Sequence, residues 1–208
     1  LDAEVIRDQA LAISGLMVGT IGGKSVRPYQ PAGLWKPVGF GGSNTSVFKQ
    51  DSGSNLYRRS MYTFWKRTSP PPSMSTFDAP DRETCQVRRA RTNTPLQALV
   101  LMNDVQFVEA AREFAVRVLT EGGEDVDTRL VFAFRTATSR HPTETETRRL
   151  KQLLVEYQSQ FANDPDAAKA IISNGNSKPI ENVDPTELSA WTIITHLLLN
   201  LSETVTKA

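Results

Sequence analysis

Seven of the twelve prolines and seven of the twelve glycines in this 208-residue chain fall between residues 20 and 93. Proline has no backbone N–H to give and glycine loses the most conformational freedom on folding. Such density therefore forbids long helices or an unbroken ladder in this stretch. The same stretch carries Trp35, Phe40, Phe48, Tyr57, Tyr62, Phe64, Trp65 and Phe77, too many aromatics for a disordered linker. It reads as an ordered, irregular segment packed on a helical core. Within it, Tyr62 and Phe64 alternate with Met61, Thr63 and Trp65, which suits one short strand or hairpin, although a run this short also fits a helix. Pro70, Pro71 and Pro72 predict extended, polyproline-like backbone.

The flanks are helical in pattern. Residues 1–19 place Val5, Ala12 and Leu16 on one face with Ile6, Ala10, Ile13 and Met17 beside them. From residue 94 onward the start signals are explicit. Thr94 stands before Pro95, Thr143 before Glu146 in a capping box, Asp164 before Pro165 and Asp184 before Pro185. Leu96, Leu99 and Val100, then Phe107, Ala111, Phe114 and Val118, are expected to face the core, with a break at Asn103–Asp104 and an end at Gly122–Gly123. Leu150, Leu154 and Phe161 recur at helical spacing, as do Trp191, Ile194 and Leu198. Residues 174–184 read as an exposed loop. The fold class is mainly α: one domain fragment of five to six helices, divided into helix 1–19, irregular segment 20–93 and helical bundle 94–208.

Composition excludes several functions. No apolar run approaches the ~18 residues of a membrane span, so no membrane insertion is expected. One cysteine, Cys85, excludes a disulfide framework and an all-cysteine metal site, and two histidines, His141 and His196, leave little for histidine-based metal chemistry, so no metal is expected. No c-type haem attachment motif occurs. Gly22-Gly23-Lys24-Ser25 imitates the end of a phosphate loop, but Val18 stands where the first glycine belongs, and a helical pattern precedes it instead of a strand. A net charge of +1 and no basic recognition motif speak against nucleic acid.

Charge is nevertheless unevenly spread. Residues 56–93 carry eight basic side chains against three acidic ones, while residues 121–208 carry nine against thirteen. Arg58, Arg59, Arg82, Arg88 and Arg89, interleaved with Tyr62 and Trp65, form the candidate ligand-binding set. Guanidinium groups pair bidentately with carboxylate, sulfate or phosphate, and aromatic faces suit sugar rings. The alternative is that these arginines pair with the acidic helices and only tie the segment down. Asp78, Asp81 and Glu83 are the candidate catalytic carboxylates, as an acid–base pair or hard-cation ligands. The same residues also read as turn formers.

Several stretches carry a family resemblance. They are 22–31 (GGKSVRPYQP), 57–67 (YRRSMYTFWKR), 76–85 (TFDAPDRETC), 91–99 (RTNTPLQAL) and 198–204 (LLNLSET). Together they resemble the C-terminal part of the PSD1 domain (DUF1553), a domain of unknown function from planctomycete-type cytochrome c-associated proteins. The resemblance implies a large bacterial extracytoplasmic or periplasmic parent, of which this chain, opening at Leu1 without methionine, is a piece. It implies no reaction and no catalytic residues, and it assigns any c-type haem to another domain, leaving this chain without a cofactor. The expected role is a binding or scaffolding module for other domains of the parent or for an anionic polysaccharide. The alternatives are a carbohydrate-active enzyme using Asp78, Asp81 and Glu83, or a purely structural completion of the parent domain.

Overall fold

A computed structural model describes residues 1–178 and 183–206. The fold is mainly α. Helices run over α1 (Ala3–Ser14), α2 (Pro72–Thr76), α3 (Pro95–Asn103), α4 (Val105–Glu121), α5 (Val126–Thr138), α6 (Glu144–Asn163), α7 (Pro165–Ile172), α8 (Pro185–Leu199) and α9 (Ser202–Val205). The chain divides into two compact units, residues 1–8 with 17–100, and residues 9–16 with 101 onward.

The second unit is a helical bundle centred on α8. This helix is apolar almost all round, the pattern of a helix buried on every side. Leu188, Trp191, Ile194 and Leu198 are buried, and α4, α6 and α7 pack on them. Its buried hydroxyls are all satisfied. Ser189 donates to the Ala168 carbonyl, Thr192 to Leu188 and Thr195 to Ala111. Phe107, Phe114, Leu150, Leu154 and Phe161 complete the core as their spacing predicts, joined by Phe134, each worth about 1.5–3 kcal/mol before entropy. Asp104 ends α3 and caps α4, Thr143 and Glu146 form the expected capping box, and Asp164 and Asp184 cap α7 and α8. Residues 179–182 of the predicted loop lie outside the described residues.

The first unit has almost no regular structure between residues 17 and 71. The expected strand around Tyr62 is absent: residues Ser60–Tyr62 form a 3-10 turn, and the described residues contain only two isolated parallel bridges, Val18 with Arg58 and Val26 with Thr63. At the second bridge Val26 donates to the Tyr62 carbonyl, and Phe64 donates back to Val26. The next rung would need an N–H from residue 28, which is Pro28, so the ladder stops. The proline run departs from expectation at Pro72. Pro71 is extended, but Pro72 opens α2, where the missing N–H costs nothing.

In α1 only part of the apolar pattern is buried, and in α3 the expected core face turns outward. In α1, Val5 and Ala12 are exposed while Ile6, Arg7, Ala10 and Leu11 are buried. In α3, Leu96 and Leu99 are 58% and 53% exposed, whereas Gln97 is buried. The Gln97 amide donates to the Thr76 carbonyl and to the Thr92 hydroxyl, and its oxygen accepts from the Thr94 N–H. These bonds set the rotation of a helix apolar on every other side.

Candidate binding site

The irregular segment of the first unit is organised by arginines that bind carbonyls. Backbone C=O groups outside helices and ladders need donors from elsewhere, and one guanidinium offers five N–H groups. Arg7, buried on α1, donates to the carbonyls of Leu56 and Arg58 and to the Ser60 hydroxyl. Its neighbour Asp8 accepts from the Ser60 N–H at 2.7 Å. Arg58, only 7% exposed, donates to the carbonyls of Thr20, Gly22 and Lys24 and lies 3.9 Å from the Tyr62 ring centroid. The Tyr62 hydroxyl in turn accepts from the Gly22 N–H at 2.8 Å. The phosphate-loop imitation is thus a loop held by Arg58 and Tyr62.

The other sequence candidates are spread over several local contacts. Arg59, half exposed, lies 3.7 Å from Asp8. Arg89 binds both carboxylate oxygens of Glu4, at 2.7 and 3.2 Å. Burial pushes the Glu4 carboxyl up, but the Arg89 hydrogen bonds, its own backbone N–H and the charges of Arg89 and Arg82 together outweigh it and hold the group below its usual range. Asp78, in the left-handed region at φ 59°, accepts from the N–H and hydroxyl of Thr92. Asp81 accepts from the Glu83 N–H, and Glu83 lies 3.7 Å from Arg67. The three carboxylates therefore carry turn and ion-pair contacts. Among the described residues no cluster of histidine, cysteine or carboxylate side chains is placed to hold a metal ion. Cys85 is exposed.

What does come together is Trp65 with Arg82. The Trp65 indole N–H donates to the Asp81 carbonyl at 2.9 Å, and the Arg82 guanidinium sits 4.3 Å from the indole centroid, a cation–π contact. Arg82 has φ 66°, a strained conformation for a residue with a side chain. Arg88 and Arg91, on the same exposed loop, make no ion pair among the described residues.

Extended backbone around residue 65 alternates its side chains. Trp65 reaches the loop, while Phe64 and Lys66 turn to a second aromatic centre at Trp35, which sequence reasoning had counted only as one aromatic among many. Trp35 is 1% exposed, meets Phe48 edge-on at 5.2 Å and Phe64 at 5.5 Å, and has the Lys66 ammonium 5.0 Å from its ring. Lys66 also donates to the Thr45 carbonyl. Beside this cluster lies a pocket of about 350 Å³ lined by Gln30, Trp35, Lys36, Val47, Phe48 and Gln50 among others. The Trp35 Nε1 and Gln30 Nε2 donors are closed to solvent and find no acceptor among the described residues. A buried polar group left so costs about 1–3 kcal/mol. No motif marks the pocket in the sequence: Gln30 and Gln50 stand on either side of Trp35 in a proline- and glycine-rich stretch.

The second unit has a buried polar cluster of its own. Glu109, buried on α4, accepts from the N–H groups of Asn176 and Ser177, and Arg112 donates to the Ile172 carbonyl and to Glu113. Together they pin the loop after α7.

A mainly α protein with an arginine-clamped irregular unit is the class these features define. A sequence profile of the family described as PSD1, a protein of unknown function (DUF1553), matches residues 1–154. The chain belongs to that family. The match spans the whole first unit and ends within α6, so the resemblance noted at 198–204 lies beyond it. No curated protein and no solved structure matches.

Proposed function

We propose that this chain is a binding module and that the exposed arginine loop of its first unit takes an anionic polysaccharide. The observation behind this reading is the Arg82–Trp65 pair, flanked by Arg88 and Arg91. A guanidinium lying on an indole keeps its N–H edges available to a sulfate or carboxylate, and the neighbouring cations supply further charge. Arg89 ties this loop to Glu4, while Arg58 and Tyr62 fix residues 20–24 and Arg59 pairs with Asp8. The parent is extracytoplasmic on this reading, where such polymers occur, and any haem lies in another domain of it. Asp78, Asp81 and Glu83 hold turns, so their contacts lend nothing to an enzymatic alternative.

Calorimetric titration with heparin as the polyanion tests the reading. Arg82→Ala/Arg88→Ala is expected to weaken binding by roughly tenfold or more and to flatten its salt dependence. Undiminished binding by that variant would overturn it.

A second reading has its own observation. Ile21, Phe40 and Val87 are almost wholly exposed, which suits contact with another domain of the parent. Under it, heparin does not bind and a neighbouring domain protects these side chains.

A further inference from the structure

The pocket beside Trp35 has the chemistry of a sugar subsite, and we infer that it takes a single hydroxylated ring bearing a carboxylate, a uronic acid unit. Its volume, about 350 Å³, is at the small end for ligand pockets and suits one ring. The wall combines the aromatic surface of Phe48, against which the C–H face of a sugar packs, with the side-chain amides of Gln30 and Gln50, and Trp35, 1% exposed, backs it. An amide both donates and accepts, as a sugar hydroxyl does, so two of them fit a ring of alternating hydroxyls.

Two details make this more than an apolar hollow. The Trp35 and Gln30 N–H donors have no acceptor among the described residues, although native buried donors are nearly always paired. Both donors are closed to solvent, so a ligand oxygen supplies their missing acceptor only as the wall opens around it. The charge beside the pocket is positive: Lys36 lines it, and Lys66 and the Arg27 guanidinium lie over the Trp35 ring. A carboxylate is the substituent that this field favours. No residue of the pocket belongs to the Arg82–Trp65 surface, so the inference goes beyond the proposed function and stands or falls separately.

The test is a nitrogen–proton NMR titration of the whole chain with trigalacturonic acid, with the neutral galactose trimer as comparison. The indole signal of Trp35 is identified as the one lost in Trp35→Phe. Trigalacturonic acid is expected to shift this signal saturably, with Gln30→Leu and Lys36→Ala each weakening the response by roughly tenfold. Lys36 is exposed, so its variant folds even if the glutamine substitution disturbs the segment. A motionless Trp35 signal overturns the pocket, as does an unchanged response in the Lys36 variant. Equal binding of the neutral trimer overturns the acidic assignment. Arg82→Ala/Arg88→Ala separates the two readings. A Trp35 shift that persists in it supports the pocket, even where the surface reading has failed. Polymer binding lost in it, with Trp35 unmoved by trigalacturonic acid in the parent chain, leaves only the surface.

Discussion

Arg7 Nη1 donates to the backbone carbonyl of Arg58 at 2.9 Å, while the Arg58 side chain donates to the carbonyls of Thr20, Gly22 and Lys24. The two arginines act in series, one fixing the chain that carries the other. Ordinary secondary structure distributes this work over backbone donors, whereas here two side chains between them bind the carbonyls of Thr20, Gly22, Lys24, Leu56 and Arg58.

Replacing Arg7 should therefore be far more damaging than a single lost hydrogen bond. Arg7→Leu strands the carbonyls of Leu56 and Arg58 and is expected to cost about 3 kcal/mol or more in the first unit. Arg7→Lys keeps the charge but cannot span both carbonyls, and should cost about 2 kcal/mol. Urea unfolding followed at the first unit's tryptophans, Trp35 and Trp65, checks both. Equal stability of the lysine variant and the parent would mean that charge alone suffices.

Gly175 is the counterpart in the second unit. It has φ 88°, and a Cβ there would collide with the Glu109 carboxylate. Gly175→Ala is expected to destabilise by about 1–3 kcal/mol. In the double variant with Glu109→Ala the collision disappears, so the combined loss in thermal unfolding should be smaller than the sum of the single losses.

Acid should loosen the junction of α6 and α9. Arg140 pairs with Glu146 at 2.6 Å and with Glu203 at 2.8 Å. The Arg140 hydrogen bonds, aided by the Thr143 N–H, bring the Glu146 carboxyl down to about 2. A carboxyl lowered in the fold stabilises above its unfolded value of 4.5 and loses that contribution as pH falls toward 2. The group is largely exposed, so the slope should shrink in high salt. Stability measured between pH 5 and 2 should show this slope, and Arg140→Gln should flatten it.

His196 acts in a higher window. Burial pushes its imidazole below 6.5, against the opposing pull of the Leu101 carbonyl 2.8 Å from Nε2. The fold thus favours the neutral ring. Its contribution is complete above pH 6.5 and is lost as pH falls through the lowered value. His196→Gln, which retains an N–H for Leu101, should remove this component of the pH dependence while leaving stability at pH 8 nearly unchanged.

The bundle was legible in the sequence because its signals agree with one another. The Thr143–Glu146 box, the Asp–Pro starts and the spacing of Leu150, Leu154 and Phe161 all specify the same helices. Where local signals were silent, long-range polar bonds decided. Leu96 and Leu99 face outward because Gln97 finds partners at Thr76 and Thr92, and no periodicity announces that. The arginine cluster was visible as charge, but the carbonyls that would accept from Arg7 and Arg58 were not, since nothing in a sequence marks which backbone oxygens are left over. The Trp35 pocket was missed for a related reason: Gln30, Lys36 and Gln50 carry no motif, and only folding brings them beside one tryptophan.

The guanidinium clamps have a consequence for how the first unit exchanges with solvent. They satisfy carbonyl oxygens and leave the amide hydrogens of the same residues outside any ladder. Deuterium should therefore enter residues 17–71 quickly wherever the N–H is unbonded, with slower islands at bonded positions such as Val18, Val26, Asp51, Ser60, Tyr62, Thr63 and Phe64. A segment can thus be fixed in shape and still register as labile to isotope exchange, so that rapid uptake there measures the choice of acceptor over donor, not looseness of the chain.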